Sequence, residues 1–424
     1  PRRRAELSSA SKLAELASLH NPKPMHGGNI TYTDGSDDHA GFDIASARTV
    51  TRDASSIAGF LNEVKSGRSS IEGAHGSTLK LAHTMLGLLV HGVEQSGEGK
   101  GKGRNRHKGK NKGFGLLGQA RAGHKWLSLV SLAMGGDSTT GLLKKVMADR
   151  ELRHAILPLL RGGHAGEAGS EQFHNQLYSL VNAAWTSGMR STLSKLSDLT
   201  LVNFIENLDL IGRLVALQIL LLPHSLASNY HSRQRHFIRR LSSQMLPDLP
   251  TTEGPWPRVA LFSDTLDQVN GVTSIIGRLD EYCQSEKLPL EIIGCGEEGN
   301  DGRITRFPAV ASLNMPDFGD LDMTVPPVLD IVRYCEEQQF DLIHASTPGP
   351  MGLVAFMVSR ILQVPFVSSY HTDIARCVGR LTDDKLNEEA AWTYTRWFHQ
   401  RFDLTFVPSA WSSRELAGHG LDQR

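Results

Sequence analysis

The spacing of apolar residues changes character near Arg258, and the two halves of the chain read differently. Beyond that point short apolar runs alternate with segments of helical period. The runs at 258–263, 290–295, 341–345, 365–370 and 404–408 predict strands, and the segments at 272–286, 325–338, 350–362, 386–400 and 410–418 predict helices. Strands alternating with helices at this interval predict an α/β, Rossmann-like, doubly wound parallel sheet, in which ligands bind outside the carboxyl ends of the strands. Asn270-Gly271, His344 with Ser346-Thr347-Pro348-Gly349, His371 to Asp373, and Ser409 all follow predicted strands. They should therefore share one edge.

Upstream the pattern is helical. Leu116, Leu117, Trp126, Leu127, Leu129, Val130 and Leu132 mark one segment, Leu142 to Leu160 a second, and Phe173, Leu177, Leu180 and Val181 a third. A helix predicted over Ser77 to Val93 closes a first unit, residues 1–95, whose polar middle carries Asp34 to His39. The expected divisions are 1–95, a linker at 96–113, a helical region at 114–250 and an α/β domain at 257–424.

Composition narrows the possible partners. The linker contains GEGKGKGRNRHKGKNKG, which cannot bury a core and has no aromatic residues to stack on bases, so no specific nucleic-acid partner is expected. Lys plus Arg equals Asp plus Glu at 45 each, so no whole-molecule field argues for one either. The four cysteines, Cys283, Cys295, Cys335 and Cys377, form no C-x-x-C pair and read as reduced thiols. Together with the absence of a signal-peptide pattern, this predicts a cytoplasmic protein. The apolar stretch Leu208 to Ala227 is broken by Arg213, Gln218 and Pro223, which argues against a membrane span. The basic residues from His231 to Arg240 leave peripheral contact at the inner membrane face open. The chain starts at Pro1 and stops at Arg424 just after a predicted helix, so a fragment is expected.

The chemistry concentrates at two places. Asn270-Gly271-Val272 opens a helix directly after a strand, where backbone amides and the helix dipole suit an anion such as a nucleotide phosphate. His371 in SSYHTD follows a later strand and can donate to or accept from a bound sugar. Asp264 and Asp267 read equally as turn formers or site residues. In the first unit Asp37 and His39 lie on one side of an extended segment and could ligate a divalent metal. His75 and His83 read as helix-entry and helix-face residues, and His124, His154, His164 and His174 show no metal-ligand spacing.

The segments RVALFSDTLDQVNGVTSII, FDLIHASTPGPMGLVAFMVSRILQVPFVSSYHTD and WTYTRWFHQRFDLTFVPSAWSSREL resemble the N-terminal, acceptor-side domain of family 4 glycosyltransferases, closest to the glycolipid-synthesising branch. The resemblance covers 257–424 and implies a GT-B fold and a retaining transferase needing no metal. A nucleotide-sugar donor and a lipid or glycan acceptor would follow. It also implies that Asn270, Gly271 and Val272 lie under the donor sugar-phosphate, that His371, with Thr372 and Asp373, faces the reacting sugar, and that His344 and Ser409 help bind donor or acceptor. The loop after His344 keeps only part of the family pattern, in Ser346, Pro348 and Gly352. The family's second, nucleotide-holding domain is not represented, so transfer by this stretch alone is not expected. GSDDHAGFDIASARTV with GRSSIEGAHGSTLKLAH resembles the end of a PHP-type metal-dependent phosphoesterase, which implies Asp37 and His39 as a truncated metal-ligand pair. Two other readings stay open: a metal phosphoesterase with a domain that binds a nucleotide-sugar or glycolipid, and a membrane-surface scaffold.

Overall fold

The structure is a computed structural model that describes residues 46–73, 76–98, 171–196, 208–245, 256–266, 270–297, 302–315, 321–371 and 373–421, with isolated positions besides. Its contacts divide the chain into two units. The first holds Pro1–Ala183, Leu222–Ala227 and Gln234–Pro250; the second holds Ala184–Leu221, Ser228–Arg233 and Thr251–Arg424. The linker beyond Glu98 and the segments expected over 114–170 lie outside the described residues.

In the first unit β1 (Ala47–Thr51) and β2 (Ser69–Gly73) pair antiparallel, connected through α1 (Ile57–Lys65). Ser56 starts α1 by accepting the Gly59 amide at 3.1 Å, which satisfies one of the donors left bare at a helix start. The helix expected at Ser77 to Val93 is α2 (Thr78–Glu98), with Ser77 Oγ accepting the Lys80 amide. Two long helices follow, α3 (Glu171–Leu196) and α4 (Leu208–Met245), and their residues are shared between the two units. Pro223 lies inside α4 and removes one helical amide. No helix among the described residues is long and apolar enough to cross a membrane.

The second unit is built on a seven-stranded sheet. It contains β3 (Val259–Phe262), β4 (Leu290–Gly296), β5 (Gly299–Asn300), β6 (Ile304–Pro308), β9 (Leu342–Ala345), β10 (Phe366–Ser369) and β11 (Leu404–Phe406), in the order β11-β10-β9-β3-β4-β6-β5. Every pair is parallel except β5–β6. The parallel strands are short and apolar because helices cover both faces. Those helices are α5 (Gly271–Ser285), α6 (Val328–Gln338), α7 (Pro350–Leu362), α8 (Ile374–Thr382), α9 (Lys385–His399) and α10 (Ala410–Gly418). On one face Ile276 and Cys283 of α5 pack with Leu261, Leu290 and Ile292, and each fully buried aliphatic side chain contributes roughly 1.5–3 kcal/mol. Toward the β11 end, Tyr370, Ala375, Trp392 and Leu416 form a second cluster.

Two expectations are corrected here. The helix expected from 325 starts at Val328, because Pro326-Pro327 resist a helix interior, and β7 (Ala311–Met315) and β8 (Leu321–Val325) form a hairpin before it that the pattern did not announce. Ile374 to Thr382, where no helix was expected, is α8, started by Asp373 accepting the Arg376 amide at 3.1 Å. The four cysteines are unpaired, and three are buried.

Candidate functional site

Numbered along the chain, the six parallel strands run 6-5-4-1-2-3 across the sheet, so the direction of winding reverses between β3 and β9. At such a switch point the loops after the two strands part and leave a crevice. Asp264, just past β3, spans it. Its carboxylate accepts the Met351 amide at 2.7 Å and the Thr347 hydroxyl, and the amides of Gly349 and Gly352 also face it. Thr347 Oγ1 in turn accepts the Asp264 amide at 3.1 Å. Burial pushes the Asp264 carboxyl up, and these donors pull it back down. Asp264 therefore satisfies the start of α7 with the chain's own anion. A Cβ at Gly349 would run into that carboxylate, and one at Gly352 into the Thr347 carbonyl and the Phe398 ring. Tyr394 Oη holds the same loop by donating to the Pro348 carbonyl at 2.5 Å.

The start of α5 differs. Asn270 caps it, its side chain accepting the Thr273 amide at 2.9 Å, while Thr273 Oγ1 donates to the Thr265 carbonyl. The amides of Gly271 and Val272 have no partner among the described residues, and a Cβ at Gly271 would meet only open space. Two free amides at a helix N-terminus, with its partial positive charge, make an anion seat. Asn270, Gly271 and Val272 thus form an open helix start at the crevice.

On the other side of the switch point, β9 and β10 bring two histidines together. His344 Nε2 lies 2.8 Å from Ser369 Oγ. Burial, then the neighbouring His371, brings His344 down to about 4, so it is neutral at pH 7. His371 is partly buried, and desolvation lowers it too. Both are thus hydrogen-bonding groups rather than cations. β3 and β10 are separated by β9 alone, so their carboxyl ends lie two strand spacings, about 10 Å, apart. Ser346 Oγ, buried at the head of the loop after β9, has no hydrogen-bond partner.

The other expected residues have structural partners. Asp373 caps α8 and pairs with Arg376 at 3.2 Å. Ser409 caps α10, accepting the Ser412 amide at 3.1 Å. Asp37, His39, His75, Asp267 and Thr372 lie outside the described residues. Among the described residues no group of three or more His, Cys, Asp or Glu side chains is set to hold a metal ion. Reading by motif underweighted Asp264, whose part is visible only once Met351 arrives from 87 residues away. It missed Ser369, which a serine-rich strand end does not distinguish. His83 and His174, given no ligand role, meet in the first unit, with Nδ1 atoms 2.7 Å apart.

A family model described as Glycosyltransferase Family 4 matches residues 269–424. The chain is 27% identical over 173 residues to a GDP-mannose-dependent alpha-mannosyltransferase of Corynebacterium glutamicum, covering 39% of this chain and 41% of that protein. It is 40% identical over 80 residues to the sulfoquinovosyl transferase SQD2 of Arabidopsis thaliana, which is 19% of this chain and 16% of that one. It is 28% identical over 120 residues to an alpha-monoglucosyldiacylglycerol synthase of Streptococcus pneumoniae, 27% and 26% of the two chains. The chain thus spans less than half the length of these curated relatives. The matched region begins after β3 and contains the other strands of the seven-stranded sheet.

Proposed function

We propose that residues 257–424 are the acceptor-side domain of a retaining glycosyltransferase that moves a sugar from a nucleotide-sugar to a lipid or glycan acceptor. One observation carries the reading: the unpartnered Gly271 and Val272 amides open at the switch point, with neutral His344 on the next strand and neutral His371 one strand beyond it. When the bond from the sugar's anomeric carbon to the diphosphate breaks, negative charge grows on the departing phosphate oxygens. Preoriented amides stabilise it as it forms, without having to reorganise. His371, uncharged and partly buried, can hold a sugar hydroxyl or the acceptor hydroxyl by hydrogen bonds. The name of one relative, an alpha-monoglucosyldiacylglycerol synthase, favours a lipid acceptor. Transfer itself requires no metal in this reading. Residues 1–95 would be a PHP-like region, joined to the transferase domain through residues 96–250.

The test uses a panel of nucleoside-diphosphate sugars and the protein in its full-length form. One sugar nucleotide should raise the melting temperature and be consumed when a glycolipid acceptor is added. His371→Ala should keep the thermal shift and lose at least a hundredfold in turnover. Unchanged turnover in that variant would remove His371 from the mechanism.

A further inference from the structure

The first unit contains a second cluster of chemistry that the transferase reading leaves unused. Asp43, Lys80, His83, His174 and His224 all belong to it. His83 comes from α2, His174 from α3 and His224 from α4, and all three are buried. His174 Nε2 lies 3.0 Å from Asp43 Oδ1, and Lys80 Nζ lies 3.1 Å from the same oxygen. His174 Nδ1 lies 2.7 Å from His83 Nδ1. In the tautomer in which His83 donates its Nδ1–H to His174 Nδ1, His83 Nε2 carries a lone pair; that atom is buried and has no hydrogen-bond partner. Both ring nitrogens of His224 are likewise buried and without partners.

Buried polar atoms are nearly always satisfied, and leaving one unsatisfied costs roughly 1–3 kcal/mol. Three such nitrogens in two touching rings call for a ligand. The His83 and His224 ring centroids are 5.4 Å apart with the rings nearly perpendicular. Two imidazoles sharing one Zn²⁺ at about 2.1 Å per nitrogen would place their centroids about 5 Å apart. Edge-to-face packing alone covers the same range, so the distance permits a shared ion and the unsatisfied nitrogens argue for one. The chain from His83 through His174 to Asp43 is the outer support that metal-ligating histidines use to fix tautomer and ring orientation.

We propose that His83 Nε2 and one ring nitrogen of His224 bind a borderline divalent cation such as Zn²⁺, with Asp43 and His174 positioning His83 and water completing the coordination. A two-nitrogen set with no carboxylate in contact among the described residues favours Zn²⁺, Ni²⁺ or Cu²⁺ over Mg²⁺ or Ca²⁺. The site uses residues other than Asp37 and His39, and it is independent of sugar transfer.

The full chain, stripped with a chelator and dialysed, is titrated with Zn²⁺, Co²⁺ and Mg²⁺ by calorimetry, with the Co²⁺ absorption band as a second readout. One Zn²⁺ or Co²⁺ per chain should bind at this site, and no Mg²⁺. His83→Gln and His224→Gln should each remove that equivalent, and Asp43→Asn should weaken it about 10–100-fold. The exposed His236→Gln should leave it unchanged. Because the buried variants could lose their fold, the wild-type protein labelled with ¹⁵N-histidine gives an independent result: the His83 Nε2 and one His224 resonance should shift with Zn²⁺. Absence of binding, binding that survives the double variant, or wild-type imidazoles of His83 and His224 that do not move with Zn²⁺ would assign these nitrogens to buried water and overturn the proposal.

Discussion

Asp264 and Met351, 87 positions apart, meet at 2.7 Å across the point where the sheet reverses its winding. The contact ties the loop after β3 to the start of α7 and occupies that helix terminus with a protein carboxylate. A ligand anion is left with the other helix start at the crevice, at Gly271. The division follows from the cap chemistry: an aspartate in reach fills one terminus, whereas Asn270 satisfies only the Thr273 amide of the other.

Asp264→Asn keeps the shape but turns an amide donor toward the backbone amides that now face a carboxylate. It should cost roughly 1–3 kcal/mol, read as a lower urea midpoint with an unchanged slope. A midpoint equal to wild type would mean that the strap does not stabilise the crevice.

Gly271→Asp separates binding from folding. Open space surrounds the missing Cβ, so the melting temperature should stay within a degree or two. The new carboxylate at the helix start should weaken nucleotide-sugar binding at least tenfold, measured by calorimetry. Equal loss of stability and binding would show that the glycine serves the fold.

Gly352→Ala tests close packing instead. Its Cβ would collide with the Thr347 carbonyl, a backbone atom that cannot swing aside. A loss of roughly 1–3 kcal/mol is expected by chemical denaturation, against almost none for Gly277→Ala, whose surroundings are open.

The alternation of strands and helices was legible because buried parallel strands need continuous apolar runs and amphipathic helices need a 3.6 period. The helix start capped by Asn270 was legible because its parts are adjacent in sequence. Helix α8 was not, since Asp373 looked like chemistry where it also acts as a cap, and Gly379 interrupts the run. Gly379 lies against the Glu388 side chain, a tertiary reason that local propensity cannot carry. The hairpin β7–β8 was hidden by its mixed polarity. His83, His174 and Asp43 escaped because their contacts span 91 and 131 positions, where no spacing rule operates.

Acid should loosen the second unit in a defined window. Burial lowers His344 and His399 to about 4, while an unfolded histidine titrates near 6.5. Between these values the unfolded chain takes up protons that the fold refuses. The stabilisation is therefore full above about pH 6.5 and is lost as pH falls toward 4. His399 also contacts Ser368 Oγ at 2.9 Å through Nδ1, which His399→Gln can partly replace. That variant should show a shallower fall in melting temperature between pH 6.5 and 4; an identical slope would exclude His399 as a contributor.

The most direct measurement is an NMR titration of the protein with a nucleoside-diphosphate sugar, following the backbone amides of Gly271 and Val272 and the imidazole of His371 together. The account predicts that all three shift with one common dissociation constant, while amides at the opposite, amino-terminal ends of the strands, such as Leu290 and Leu342, stay in place. Shifts confined to the strand starts, or movement of Gly271 without His371, would contradict a shared sugar-nucleotide crevice.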